Sequence, residues 1–234
     1  MKRPSDLRLP RPFKRRKLLW TGATLSVALV ALPVADRMAA SAAEERLADR
    51  IAGQQKSVVG SPEVSIDAFP FLLSSAEGTF PKVAVRADAV TGDGQPVQAS
   101  LELREVSESG KGGYTAASAD ARFTVPLDSL SEGLGDGTSL SAEDGRLRID
   151  RQIFGMPLTI HAELRLSGRT ISMVPVAASF AGSRIDPSSP RITEAFKDRE
   201  RTVPELPVGL VPTRVAVTDD GVVLYAGAKN VPLA

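Results

Sequence analysis

Apolar and polar residues alternate with a period of two along most of the chain after residue 60. Successive side chains of a strand point to opposite faces of a sheet, so the alternation predicts antiparallel strands with one apolar and one solvated face. We expect about seven to nine strands. The apolar rows are Val83, Val85, Ala87 and Ala89; Val97, Ala99, Leu101 and Leu103; Ala121, Phe123 and Val125; Leu147 and Ile149; Leu158, Ile160, Ala162, Leu164 and Leu166; and Ile171 and Met173.

Turn residues separate several of these rows. Residues 91–94 (TGDG) and Ser167-Gly168 predict tight turns between neighbouring strands. Near the C-terminus, residues 214–218 and 222–226 form a further hairpin around Asp219-Asp220-Gly221. The pattern favours an α+β protein with mostly antiparallel β-structure, built as a single curved or barrel-like sheet with one solvated and one apolar face.

Two segments have helical character. Residues 36–55 are rich in Ala, Glu and Arg and lack Pro, which predicts a helix with Met38, Leu47 and Ile51 on one face. Residues 191–201 predict either a turn or two of helix or a solvated, highly charged loop.

An uncharged apolar stretch, residues 18–35, precedes the first of these helices. Its eighteen residues meet the lower limit for a transmembrane helix. The basic residues 1–17 predict a cytoplasmic tail, so residues 36–234 are expected outside the cytoplasm. We favour an uncleaved anchor, because residues 33–35 suit signal cleavage poorly and residues 40–42 lie beyond two charges. The alternative is a cleaved signal peptide and a secreted or periplasm-like location.

Charge and composition exclude several function classes. Eight Lys or Arg and one Asp in residues 1–17 carry a net charge of +7, so the formal +1 of the chain leaves −6 for the rest. A mildly acidic body offers no basic surface for nucleic acid. The chain has no cysteine, which removes disulfides and thiolate chemistry.

Candidate catalytic chemistry is weak. The single histidine, His161, is predicted on the solvated side of its strand beside Thr159 and Glu163, and no G-x-S-x-G segment offers it a nucleophile. The acidic pairs Glu44-Glu45, Glu143-Asp144 and Asp219-Asp220 fall on an exposed helix or in turns. We therefore expect no enzyme activity, no metal and no cofactor.

Residues 69–73 (FPFLL) form an apolar cluster in which a proline breaks the alternation. The cluster is expected to plug one end of the core, because aromatic side chains bury a large area. It is also suited to forming an apolar lip that contacts acyl chains or a bilayer surface.

Three blocks of this sequence together resemble the LmeA-like phospholipid-binding proteins of actinobacteria. They are DRMAASAAEERLADRIA from residue 36, VSIDAFPFLLSSAEGTFPKVAVRADAV from residue 64, and VPELPVGLVPTRVAVTDDGVVLYAGAKNVPL from residue 203. The resemblance implies a fold related to tubular lipid-binding domains, in which a strongly curved, barrel-like antiparallel sheet wraps around a helix and encloses an apolar cavity. It also implies phospholipid binding in the cell envelope and a supporting part in lipid or lipoglycan metabolism.

The first hypothesis is thus a membrane-tethered binder or carrier of phospholipid or a related envelope lipid. The second is an envelope scaffold with a filled core and no lipid ligand, whose protein partners the sequence does not identify. Small inward Ala and Val residues leave room for a ligand in the first case. The candidate lipid-binding residues are Phe69, Phe71, Leu72, Val83, Val85, Leu101, Leu103, Phe123, Ile149, Ile160, Leu164 and Ile171.

Overall fold

The computed structural model describes the backbone of residues 16–110, 112–132, 134, 137–190, 192 and 200–233, with side chains from residue 32 onward. Most of the predicted basic tail, residues 1–15, lies outside this set. So do residue 191 and residues 193–199, on which the predicted second helix falls.

The first element is helix α1, Arg16–Gln54, which contains Pro33. Its end confirms the helix predicted over residues 36–55 to within one residue. Within the part of the chain that the structure describes, no helix is both long enough and apolar enough to cross a membrane. Residues 18–31 of the expected anchor lie outside the part of α1 whose side chains are described.

Twelve strands follow within the described residues, and all their pairings are antiparallel. Their bounds are β1 Val58–Asp67, β2 Thr79–Val90, β3 Pro96–Ser109, β4 Gly113–Val125, β5 Thr138–Glu143, β6 Arg146–Ile153, β7 Met156–Ser167, β8 Thr170–Phe180, β9 Ser183–Ile185, β10 Arg201–Thr202, β11 Val211–Thr218 and β12 Gly221–Leu233.

The strands form two sheets. Sheet A has the order β1-β2-β3-β4-β12-β11, and sheet B has the order β10-β8-β7-β6-β5, with β9 also paired to β8. The turns predicted at residues 91–94, at Ser167-Gly168 and at residues 219–221 connect β2 to β3, β7 to β8 and β11 to β12.

The single barrel-like sheet expected from the alternation is not what forms. Two open sheets are present, and neither closes on itself among the described strands. Alternation is a local property that predicts which face of a strand is apolar, but it does not determine which strands become neighbours. The coarser expectation, mostly antiparallel β-structure with a few helices, is confirmed.

Short helices were missed by the sequence analysis. They are α2 Phe71–Glu77, α3 Leu127–Glu132 and a 3₁₀ turn at Pro207–Gly209. Helix α2 occupies the FPFLL cluster, follows a cis peptide bond between Phe69 and Pro70, and ends at Gly78 with left-handed backbone geometry.

A row of irregular residues crosses sheet A near α2. Glu105 and Asn230 have positive φ angles of 49° and 52°, and the paired register skips both positions. Buried residues on the strands are three apart at this row, as in Leu103 and Val106, although they belong to one core cluster. Irregularities of this kind bend a strand, so the apolar face of sheet A continues past the row towards α2.

Candidate functional site

The apolar face of sheet A is built from side chains that the strand register places side by side. One row joins Val64, Val85, Leu101, Ala121 and Ala226 across β1, β2, β3, β4 and β12. Val64, Ala121 and Ala226 are buried, whereas Val85 and Leu101 are only partly buried. The alternation in the sequence produces this face directly.

Two elements flank this face. Leu47, Ala48 and Ile51 of α1 pack against its core cluster on the side of β1. On the opposite side, near β12, Leu206 and Leu210 pack against the same cluster. Within the first row, Val85 and Leu101 are less covered than Val64 and Ala226 at its two ends.

A second row, two residues further along the strands, is incompletely covered across its whole width. All its members are only partly buried: Ala87, Ala99, Phe123, Leu224 and Val215. We call the half-covered apolar face between α1 and residues 206–210 the sheet A groove.

Sheet B continues the apolar surface. Ile149, Ile160 and Ala178 lie side by side on its apolar face, and Ile192 packs against them. A separate cluster joins the two sheets, because Val217 of sheet A and Leu147 of sheet B pack together with Leu127 of α3. The apolar face of sheet A therefore meets that of sheet B at this junction.

Helix α2 is held at the other end of the groove by α1. Asp36 is buried, and its two carboxylate oxygens accept the backbone N–H groups of Phe71 (2.9 Å) and Leu72 (2.8 Å). These are first-turn N–H groups, which have no partner within their own helix. The carboxylate thus caps α2 in place of Pro70, which makes no side-chain cap.

A concave pocket of about 280 Å³ lies where β11 approaches β6 and β7. Charged side chains contribute much of its lining, from Asp144, Arg146 and Glu163. Drug-sized apolar ligands usually occupy pockets of about 300–1,000 Å³ with mostly apolar walls. This pocket is therefore not the apolar cavity expected from the sequence, and the groove is the better candidate.

Comparison with known proteins gives one result. A family model for LmeA-like phospholipid-binding proteins matches residues 34–227. The chain belongs to this family. No curated protein and no solved structure matches it. The resemblance recognised in the sequence is thereby confirmed over most of the chain.

In this LmeA-like protein, the predicted lipid-binding residues fall into three groups. Five of them lie on the apolar face of sheet A, and four lie on the apolar face of sheet B. The first group is Val83, Val85, Leu101, Leu103 and Phe123, and the second is Ile149, Ile160, Leu164 and Ile171.

The remaining three predicted residues lie at α2 and differ in their exposure. Phe71 is 6% exposed, and its ring lies 6.0 Å from that of Phe80 at the end of sheet A. Phe69 and Leu72 are 79% and 49% exposed. The cluster is both a core plug, through Phe71, and an exposed lip, through its neighbours. Their role in lipid binding stays a prediction.

Several groove residues were not among the predicted ones. Ala121, Ala226 and Leu224 lie on predicted strands, and the alternation could have identified them. Leu206 and Leu210 flank a 3₁₀ turn, in a segment without periodicity, so no local signal marked them. Met38 is exposed and does not share the buried face of Leu47 and Ile51 that the sequence analysis predicted.

The opposite face of sheet B carries a polar network. The Nε2 of His161 lies 2.9 Å from a carboxylate oxygen of Glu143, which Arg148 also contacts at 3.2 Å. Hydrogen bonds from His161 and Arg148 hold the pKa of Glu143 below its ordinary value. Burial raises the pKa of Asp150, but hydrogen bonds from Thr159 and Arg148 outweigh it and leave that pKa below its ordinary value.

This network confirms the solvated-face position predicted for His161. Its groups are ion-paired with one another along the strand surface, as in ordinary β-sheets. No group of three His, Cys, Asp or Glu side chains among the described residues is placed to hold a metal ion. These ion pairs are better explained as stabilising the surface of sheet B than as forming a catalytic site.

Proposed function

We propose that this protein is a non-enzymatic, membrane-tethered phospholipid-binding protein of the cell envelope. In this proposal the sheet A groove holds the acyl part of a phospholipid or a related envelope lipid. The protein acts as a binder or carrier that supports envelope lipid or lipoglycan metabolism.

The half-buried row from Ala87 to Val215 is the observation that carries the proposal. The ligand of a phospholipid-binding family carries apolar acyl chains, and this row offers apolar surface that the chain itself leaves partly uncovered. Each methylene group transferred from water to such a surface contributes about 0.8 kcal/mol. An acyl chain lying along the groove therefore needs no charged residue to bind.

The tether in this proposal is residues 18–35, with residues 1–17 as a cytoplasmic tail and residues 36–234 as the extracytoplasmic domain. The backbone of α1 runs without interruption from Arg16 to Gln54, so the tether would connect directly to the helix that flanks the groove. Cleavage after this segment would instead release a soluble carrier. Anchoring keeps the groove close to its ligand.

Photo-crosslinking tests the groove. The full chain is reconstituted in nanodiscs that contain a phospholipid with a photoreactive acyl chain, and crosslinked peptides are mapped by mass spectrometry. Crosslinks are expected in peptides of β2, β3 and β4. Leu101→Glu places a carboxylate on the apolar face and should abolish these crosslinks, because burying an unpaired charge beside an acyl chain is unfavourable.

Ser100→Glu is the matched control. It adds the same charge to the neighbouring position of β3, whose register partners are Arg86 and Arg122 on the opposite face. The crosslinks should survive in this variant. Crosslinks confined to residues 18–35, or equal loss in both variants, would rule out the groove as the lipid site.

The second candidate function is an envelope interaction module without a lipid ligand. The polar pocket between β11 and sheet B favours it, because charged side chains surround a concave surface of the kind that binds polar partners. Charge reversal at Arg146 would then impair the protein, while Leu101→Glu would not. The crosslinking experiment separates the two candidates, since a scaffold leaves β2–β4 unlabelled.

A further inference from the structure

Exposed apolar side chains occur at one end of the molecule, on the segment around the start of α2 and on the turns of α1 at the level of Asp36. Three come from α1 and three from the segment around α2. They are Leu32, Val34 and Met38, and Phe69, Leu72 and Leu73. We call these six residues the apolar lip. Soluble proteins rarely leave such groups of large apolar side chains in water without a use for them.

Asp36 determines the position along α1 beside which the α2 part of the lip lies. Because its carboxylate accepts hydrogen bonds from Phe71 and Leu72, the first turn of α2 lies beside residue 36 of α1. Residue 36 directly follows the uncharged stretch of residues 18–35. With a rise of about 1.5 Å per residue, the α1 part of the lip spans only about 9 Å along the helix. The lip therefore lies at the level where the uncharged stretch ends.

Aromatic rings extend this end of the molecule towards sheet A. The ring of Phe80 lies 6.0 Å from that of Phe71 and 6.2 Å from that of Tyr114, which is exposed. Tyrosine combines an apolar ring with a polar hydroxyl and is favoured at the boundary between lipid and water. Phe80 packs against the core cluster of sheet A, and its register partner Val106 is buried, so these rings close this end of the sheet A face.

The other end of the molecule provides a contrast. Phe154 is 96% exposed in the turn between β6 and β7. The junction of the two sheets is at Leu147, and Ile153 follows six positions later on β6, about 20 Å away at about 3.3 Å per residue. Phe154 therefore lies beyond sheet B, while the lip lies at the opposite end of sheet A.

We propose that the apolar lip inserts into the surface of the bilayer that holds residues 18–35 and so holds the α2 end of sheet A against the lipids. This inference rests on the anchoring part of the proposed function. The occupant of the lip is the acyl boundary of the membrane, because the apolar stretch of the same helix ends at the same level. Insertion fixes the orientation of the domain, which a single anchor helix alone leaves free to tilt.

The absence of cysteine from the chain allows a direct test. Leu72→Cys and Phe154→Cys are each labelled with an environment-sensitive fluorophore in the full chain. The proteins are reconstituted in vesicles of phosphatidylcholine and phosphatidylglycerol. Brominated acyl chains should quench the label at residue 72 several-fold more than the label at residue 154, and aqueous iodide should show the reverse order.

Two outcomes would overturn the inference. Equal access of iodide to both labels would mean that the lip stays in water. Protection of residue 72 from both quenchers would mean that protein covers it, as in a dimer of this chain. Both substitutions are at exposed side chains, and amide hydrogen exchange in α2 verifies that Leu72→Cys still folds.

Different results would reject membrane insertion of the lip and lipid binding in the groove. Quenching at residue 72 without crosslinks in β2–β4 would keep the lip and reject the groove. Retention of the protein on vesicles after a high-pH wash reports the anchor independently of both. Loss of that retention, with no quenching at residue 72, would reject the anchored orientation.

Discussion

Single residues decide how the elements of this protein are attached to one another. Asp36 is the clearest case, since the sequence presents it only as the first charge after an apolar stretch. In the structure its buried carboxylate caps a helix that begins 35 residues later. Glu44 acts in a similar way, because its carboxylate accepts the backbone N–H of Ile66 in β1 at 2.9 Å. Both contacts connect α1 to the segment that precedes the groove.

Asp36→Ala tests this attachment. Removing the carboxylate leaves two N–H groups of α2 without acceptors, which costs about 1–3 kcal/mol for a buried group. We expect faster amide hydrogen exchange in residues 71–77, with the rest of sheet A protected as before. Asp49→Ala, at an exposed position of the same helix, is the control and should leave α2 unchanged. Unaltered exchange in the Asp36 variant would show that packing alone holds α2.

At the scale of elements, each sheet has one apolar face and one face of paired charges. On sheet A, Lys82 and Arg104 contact Glu102 at 2.8 and 2.7 Å, and their hydrogen bonds lower the pKa of Glu102. On sheet B, Arg148 links Glu143 and Asp150. Exposed pairs of this kind contribute little individually, and their main effect is to keep these faces in water.

The lowered pKa of Asp150 predicts a pH dependence for sheet B. A carboxyl with a depressed folded-state pKa stabilises the fold above its unfolded pKa, about 3.9, and this contribution is lost as pH falls through the folded value. Asp150→Asn should therefore lower the free energy of unfolding at pH 7, and the difference should shrink towards pH 3. The effect should stay below about 1 kcal/mol because the pair is partly solvated.

Urea unfolding at the two pH values measures this difference. Asp219→Asn, in the exposed β11–β12 turn, is the control and should show a smaller change between the two conditions. A loss of stability in Asp150→Asn that is the same at both pH values would mean that the hydrogen bond with Thr159, rather than the charge, is responsible.

At the scale of the whole molecule, the junction cluster joins the apolar faces of the two sheets. Leu147 is among the largest side chains that are fully buried, and it packs with Val217 of the other sheet. The apolar faces would be separate surfaces without this cluster. The junction also keeps the apolar lip and the Phe154 turn at opposite ends.

Leu147→Ala should destabilise the protein by about 2–5 kcal/mol, because it leaves a cavity in a filled cluster. Amide exchange should accelerate in both sheets, since the cluster belongs to both. Leu73→Ala, at an exposed position of α2, is the control and should change stability by less than about 0.5 kcal/mol. Faster exchange in sheet B alone would show that the sheets unfold independently.

The sequence by itself determined the local features of this protein. Alternation identified β2, β3, β4, β6, β7 and β8 with their apolar faces, but not β1, β5, β9 or β10. Turn residues identified three hairpins, and composition identified the helix that ends at Gln54. These features depend on neighbouring residues, so a single chain displays them. The family was also recognisable from short blocks of residues, and the family model confirms it.

Tertiary structure alone decided how these parts combine. Pairing between distant strands produced two open sheets instead of one barrel, and a carboxylate on α1 stabilised a helix in the FPFLL cluster. Burial then divided that cluster into a core residue, Phe71, and an exposed one, Phe69. Such outcomes depend on contacts between residues far apart in the chain. These contacts contribute free energy only after the elements meet, so local sequence patterns do not reveal them. The groove and the lip are products of those contacts.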